Sequence, residues 1–258
     1  MQVVRNIGYV KGQQRRGRRL TALGIAFFAV AFFLVFFQQG QGQGQLGVIL
    51  FSYAAMMSGF ILFNLGLQTV TKFASNARKP RNDQALDKAL ERLNDRHTLI
   101  HYAQLGKRVP EHVLVYNGGV LVLTVRELPG QISVSGRRWR RGGNLLTRFT
   151  NSSGPQLGNP TTENEGDVAL VREYLAANEL PDTVDGVIVF THPAVTVRVT
   201  DSPVDVTDLD GLPDYIRGLG QDRPALTGKE RLAIVEALSQ GQDLEQATLR
   251  GERRRRAA

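Results

Sequence analysis

The chain contains no cysteine in 258 residues, which excludes disulfides and thiolate-held metals. Histidine is scarce, and its one suggestive pair fails on geometry. His97 and His101 are four apart, but they lie in the strand-like stretch TLIHYAQL, where four residues span roughly 13 Å and cannot share one metal. No serine–histidine constellation for acyl transfer is present. Asn117-Gly118-Gly119 is followed by neither a lysine nor a helix start, so it reads as a turn and not as a phosphate loop. Charge is missing from two long stretches, Leu20 to Phe37 and Leu46 to Val70.

Those charge-free stretches are long enough to matter. At about 1.5 Å per helical residue the first covers roughly 27 Å, close to a hydrocarbon core of about 30 Å. The second is longer. The first lacks a small-residue cleavage site, so a membrane anchor is expected and not a removable signal peptide. Arg5, Lys11, Arg15, Arg16, Arg18 and Arg19 precede the first run, and Lys72, Arg78, Lys79 and Arg81 follow the second. The linking tip, QQGQGQGQ, carries no charge. The distribution of positive charge places both termini in the cytoplasm of a two-span plasma-membrane protein. Small residues such as Gly24, Ala26, Ala54, Ala55 and Gly59 are expected to let the spans approach closely.

Three segments follow from this pattern: an anchor with its basic N-terminal stretch over 1–81, a cytoplasmic domain over 82–220, and a C-terminal helix with a basic tail over 221–258. The net charge of +8 and pI near 10.1 point to phosphate-bearing partners, either DNA or RNA or anionic lipid. The densest basic stretch outside the tail is SGRRWRR, where Arg137, Arg138, Arg140 and Arg141 surround Trp139. Arginines meet phosphates and an indole ring can stack on a base, so these five residues are the nucleic-acid-binding candidates. The competing reading is a solvated hairpin with Trp139 covering the sheet.

Asp83 to Leu93 carries its apolar residues on one helical face, and Pro160 to Leu180 returns to the same period. Between them lie the strand-like stretches HVLVY, GVLVLTV, QISVS and RRWR, and DGVIVF reads as a buried strand. VTVRVTD and helices near Leu212 to Leu219 and Lys229 to Ser239 complete the set. The expected class is α/β: two transmembrane helices, then a mixed sheet flanked by helices.

Within that sheet, Asn117-Gly118 predicts a tight hairpin turn with positive φ at both residues. Such a turn sets Tyr116 opposite Gly119 and Val113 opposite Val122. Extended outward, it sets Glu111 opposite Thr124, with Cβ atoms about 5 Å apart. The period of two puts Arg126 on the face of Thr124 and Glu127 on the other.

The stretch PEHVLVYNGGVLVLTVRELPGQI resembles the signature of the nuclease-related domain (NERD) family, placed in the broader PD-(D/E)XK nuclease superfamily. In that signature an acid–His pair opens one strand and Glu-x-Lys ends the next. The resemblance extends over roughly residues 80 to 220, taking in Asp83 on the first helix, Trp139, and Asn159-Pro160 before the second helix. It implies a metal-dependent phosphodiesterase site in which Glu111 holds the metal, with Mg²⁺ the implied ion if the site is active. Thr124 stands where the second acid belongs, Arg126 where the catalytic lysine belongs, and Glu163 where a glutamine often opens the second helix.

These departures weaken the implied chemistry. A threonine hydroxyl brings no formal charge to a hard cation, and arginine does not act as a base at neutral pH. The resemblance therefore implies a membrane-tethered, nucleic-acid-binding module with a degenerate site. A second reading has Glu163 and Asp83 converge on Glu111 and rebuild an active Mg²⁺-dependent nuclease. A third is a non-enzymatic membrane scaffold. Thr162-x-x-Glu165 also reads as a capping box, which would give the acids of that first turn a purely structural role.

Overall fold

The structure is a computed structural model that describes residues 1–38, 46–73, 81–106, 108–142, 156–219, 221, 223–240 and 244–248. Most of the QQGQGQGQ tip and the tail GERRRRAA lie outside the described residues. The chain divides into two compact units, one formed by Met1–Tyr9 with Pro80–Ala258 and the other by Val10–Lys79.

The first unit is built on a seven-stranded sheet. Its members in chain order are β1 (Gln2–Asn6), β2 (Thr98–His101), β3 (His112–Tyr116), β4 (Gly119–Arg126), β7 (Val184–Phe190), β9 (Asp205–Asp208) and β10 (Leu244–Thr248). They lie side by side as β10-β1-β2-β3-β4-β7-β9. The β1–β2, β4–β7 and β7–β9 pairs are parallel, and the others are antiparallel. A second, three-stranded sheet runs β6-β5-β8, from β5 (Gly130–Ser135), β6 (Arg138–Arg141) and β8 (Val195–Asp201).

Strand alternation sorts the core into two faces. Leu99, Leu114, Leu121, Leu123, Val187 and Val189 point to one side, where they meet Leu86 and Leu90 of helix α3 (Asn82–Leu90) and Leu212 and Ile216 of α5 (Leu212–Gly218). Ile100, Val113, Val115, Val120, Val122 and Val184 point to the other. There they meet Val171 and Leu175 of α4 (Pro160–Ala177) and Ile234 and Leu238 of α6 (Gly228–Leu238). The domain is thus a mixed α/β sandwich with helices on both faces, consistent with a nuclease-like fold.

The hairpin register is the expected one, with Tyr116 opposite Gly119 and Val113 opposite Val122. The turn chemistry differs. The positive φ falls on Gly119 (+144°) and not on Asn117. A Cβ at Gly119 would stand 2.5 Å from the carbonyl oxygen of Thr183, so glycine is needed there for close approach as well as conformation. Asn117 is tied down instead, its carbonyl accepting from Leu226 N at 2.7 Å and its side chain from Arg231 Nη1 at 2.7 Å.

β1 is the element the basic N-terminal stretch does not announce. It lies between β2 and β10, and its Val3 and Val4 enter the cores on opposite faces. Arg5 projects to the α3 face. There its Nε lies 2.8 Å from Asp83 Oδ2, while its Nη atoms pair with Asp87 and, at 3.4 Å, Glu245. Asp83, fully buried, also takes a two-pronged grip from Arg81 at 2.9 and 2.8 Å. Burial alone would raise the Asp83 carboxyl. The hydrogen bonds from Arg81 and the electrostatic interactions with His101, Arg5 and Arg81 outweigh it and hold the carboxyl down at about 2.

In the second unit, α1 (Ile7–Gln38) and α2 (Leu46–Phe73) are each long and apolar enough to cross a membrane. Most of their large side chains are exposed, including Phe32 at 72% and Leu46 at 74%, unlike those of a soluble core helix. Buried positions recur every seven residues, at Val10, Gly17, Gly24 and Ala31 on α1 and at Ser52, Gly59, Gly66 and Phe73 on α2, with Ala55 buried between the first two of the α2 series. A period of seven keeps one seam facing its partner along the whole hairpin. At this seam a Cβ on Gly24 would come within 2.6 Å of Phe63 N, and one on Gly66 within 2.4 Å of Thr21 N. Gly24, Ala55 and Gly59 lie on the seam as expected. Ala26 and Ala54 do not; both face outward.

Because Asp83 is buried and ionised, removing one of its cations should be costly. Arg5→Leu in the full-length chain is expected to destabilise the domain by about 3 kcal/mol at pH 7, read as a fall in melting temperature by Trp139 fluorescence. The folded carboxyl sits below its ordinary 3.8, so its contribution is present above that value and lost as pH falls towards about 2. The difference between wild type and variant should narrow over that window.

Candidate active site

The side chains marked by the hairpin pattern emerge on the α4 face. Val120 and Val122 of β4 point towards α4, and Thr124 and Arg126 continue that parity. Val113 and Val115 of β3 do the same, and Glu111 continues the series one residue before β3 begins. α4 starts directly above this end of the hairpin. Asn159 caps it by accepting from Thr162 N at 3.3 Å, and Pro160 occupies the first turn. The expected Thr162–Glu165 capping box does not form, because the helix begins earlier. Glu165 pairs instead with Arg137 at 2.6 Å.

Thr124 is 5% exposed, and its Oγ1 accepts from Asn164 Nδ2 at 3.0 Å. The same amide donates to Val122 O at 3.1 Å, so Asn164 clamps α4 to β4 through the position where a second acid would stand. The close approach requires Gly186 beneath it, since a Cβ there would lie 1.9 Å from Asn164 Oδ1. Arg126 is equally committed. Its Nε donates to Leu157 O at 3.1 Å, its Nη1 to Val125 O at 3.0 Å, and its Nη2 pairs with Glu163. Arg126 thus takes its carboxylate from α4.

Asp167, one turn beyond Glu163, belongs to the same electrostatic field. Burial pushes its carboxyl up, the charges of Glu163 and Glu111 push it further, and Arg108 and Arg126 only partly oppose them, leaving it at about 6. The hairpin pattern does not mark Asp167. The available signal was its i, i+4 spacing from Glu163, which puts both on one helical face.

Asp83 lies elsewhere. It sits on α3 against the opposite face of the sheet and is consumed by Arg5 and Arg81, so Asp83, Glu111 and Glu163 do not converge. His101 and His112 also face α3, their Nδ1 atoms 2.8 Å apart and His101 Nε2 2.9 Å from Asp87. Among the described residues, no three His, Cys, Asp or Glu side chains come together in a way that could hold a metal ion. With a neutral hydroxyl at 124 and a guanidinium at 126, the donor set around Glu111 does not fit Mg²⁺.

The five basic-stretch candidates do not share a face. Trp139 turns inward, donating from Nε1 to Thr161 Oγ1 at 2.8 Å with its ring 5.9 Å from that of Phe190. Arg137 is held by Glu165, and Arg141 donates to Pro129 O at 3.1 Å. Arg138 and Arg140 are exposed. An open cleft of about 360 Å³ lies nearby, lined in part by Asn164, Asp185, Asp205, Tyr215 and Arg223. Its charged groups largely satisfy one another: Arg223 reaches Asp185 at 2.6 Å, and Tyr215 donates to Asp205 at 2.8 Å.

A helix, an antiparallel hairpin, a second helix and a strand parallel to the hairpin, with acids and a basic residue where hairpin and second helix meet, define a nuclease-like α/β domain. Residues 80–191 match the family model of the nuclease-related domain (NERD). Over that stretch the chain is similar to the nuclease-related domain, alongside two apolar helices consistent with membrane anchoring. No curated protein and no solved structure matches the chain.

Asp167 carries its own test. A carboxyl raised by folding adds stability below its unfolded pKa and loses it as pH rises through the folded value, here from 3.8 to about 6. Asp167→Asn should therefore raise the melting temperature above pH 7 relative to wild type and leave it nearly unchanged at pH 4. Equal shifts at both pH values would contradict this assignment.

Proposed function

We infer that this protein is a membrane-tethered nuclease-related module that binds nucleic acid and has lost metal-dependent cleavage. The observation that carries the loss is the commitment of Thr124 to Asn164 and of Arg126 to Glu163 and Leu157 O. Where a metal-dependent phosphodiesterase needs a second carboxylate and a free lysine, this chain has a helix clamp and an internal ion pair. Binding rests on the chain's basicity and on Arg138 and Arg140 of the SGRRWRR stretch, whose side chains no described acid engages.

The division of labour we favour is an anchor over residues 1–81, a nuclease-related module over 82–220 and a C-terminal helix and basic tail over 221–258. β1 is an addition from the anchor segment to the module's sheet. That strand supports a topology in which both termini and the module lie in the cytoplasm. β1 and β2 are neighbours in one sheet, so the chain leaves and re-enters from the same side of any membrane that α1 and α2 cross. The basic residues around the two spans favour the inner side.

An active nuclease is the second reading, favoured by the shared field of Glu111, Glu163 and Asp167. The discriminating measurement is cleavage of DNA and RNA by the full-length protein in detergent with Mg²⁺ or Mn²⁺. A fragment beginning near residue 80 would lack β1 and Arg5. No divalent-dependent cleavage is expected. Thr124→Glu with Arg126→Lys should gain a Mn²⁺-dependent rise in melting temperature that wild type lacks. Robust wild-type cleavage abolished by Glu111→Ala or Glu163→Ala would establish the active reading instead.

The topology has an independent check, because the chain has no native cysteine. In whole cells, Gly42→Cys should label with an impermeant maleimide and Ser239→Cys should not. The reverse pattern would overturn the cytoplasmic placement.

A further inference from the structure

The three-stranded sheet has an outer face whose residues on β5 and β6 are exposed among the described residues. On β5, Ile132 and Val134 are buried, so Gln131, Ser133 and Ser135 face outward. Registered residues on neighbouring strands share a face. Ser133 lies opposite Arg140 on β6 and opposite Arg198 on β8, giving a row Arg140–Ser133–Arg198. The next row is Arg138–Ser135–Asp201, and Thr196 lies beside Gln131. Arg138, Arg140 and Arg198 are all exposed, and none of their side chains is hydrogen-bonded or ion-paired to another described residue. The nearby Arg137 and Arg141 are already occupied by Glu165 and Pro129 O.

The geometry points to this face, centred on Arg138, Arg140 and Arg198 with Ser133 and Ser135 between them, as a contact surface for the phosphodiester backbone of nucleic acid. The assignment rests on the nucleic-acid-binding reading above and specifies how that binding is made. Arg138 and Arg140 are two residues apart on one strand, about 7 Å, while Arg140 and Arg198 flank β5, about 10 Å apart. These separations are of the order of the spacing between neighbouring phosphates along a nucleic-acid backbone, so separate guanidinium groups can meet separate phosphates. Serine hydroxyls between guanidinium groups add short-range donors to phosphate oxygen.

Chemistry on the same face decides between polyanions. Lipid-surface contacts combine basic residues with apolar or aromatic side chains that enter the headgroup layer. The registered outward positions here are Gln, Ser, Thr, Arg and one Asp, and Trp139 belongs to the inner face. With no ring to stack on a base, the contact is electrostatic and sequence-tolerant. Arg198 lies nearly sixty residues from the SGRRWRR stretch, and only the β5–β8 pairing brings it to this face.

The test uses the full-length protein in zwitterionic nanodiscs, with binding of a short fluorescent DNA duplex and of polyuridylate RNA followed by anisotropy across a salt series. Arg138→Ala, Arg140→Ala and Arg198→Ala should each weaken binding severalfold and flatten the salt slope by about one unit. Arg137→Ala and Trp139→Phe should leave the slope unchanged. Trp139 fluorescence monitors folding of the arginine variants. If wild type binds but Arg198→Ala matches it while Arg137→Ala or Trp139→Phe weakens binding, this face is wrong and the nucleic-acid reading stands. If wild type binds neither nucleic acid at low salt, both fail. Loss of anionic-vesicle flotation in the same three variants, without nucleic-acid binding, would assign the face to lipid and overturn the proposal.

Discussion

A fully buried, ionised carboxylate needs cations beside it, and Asp83 obtains them from two distant parts of the chain. Arg81 leads into α3, so its contribution is local. Arg5 comes from the opposite end of the anchor segment and arrives only because β1 is hydrogen-bonded between β2 and β10. An isolated buried charge is prohibitive, which makes the position of β1 part of the condition for burying α3. Through α3 the same requirement supports one whole face of the sheet, since Leu86 and Leu90 seat against Leu114, Leu121 and Leu123. The strand before the first apolar helix thus becomes an integral part of the domain that follows the second.

The opposite face is held by a different device. Asn164 ties α4 to Thr124 and Val122, and Gly186 clears the space for it. In a metal nuclease this corner would be held by charge around a cation. Here a neutral amide and an internal Arg126–Glu163 pair take over the corner. The arrangement stabilises the fold and commits the Thr124 hydroxyl and the Arg126 guanidinium to internal partners. Asp167 remains as a half-buried acid whose proton affinity is raised by the other carboxylates.

Much of this was legible before the structure, for identifiable reasons. The hairpin register followed from Asn117-Gly118 and strand alternation, and it holds even though the positive φ falls on Gly119. The helices over Asn82–Leu90 and Pro160–Ala177 followed from apolar periodicity. β1 was masked by the basic residues that follow it, which suit a membrane flank equally well. The seven-residue spacing of Gly17 with Gly24 and Gly59 with Gly66 was present in the sequence, but it acquires meaning only when the two series face each other.

The sequence alone determined most of the secondary elements, though not β1, β9 or β10, together with the two apolar helices, the family resemblance and the face on which Glu111, Thr124 and Arg126 emerge, because each depends on local periodicity or on residue type. Only tertiary structure decided the partners. That Arg126 pairs with Glu163, that Asp83 is spent on Arg5 and Arg81, and that Arg198 joins Arg138 and Arg140 are long-range choices made by strand order and helix placement. Charge and hydrogen-bonding capacity can be read from a residue's identity. Which group satisfies them depends on what the folded chain brings within a few ångströms.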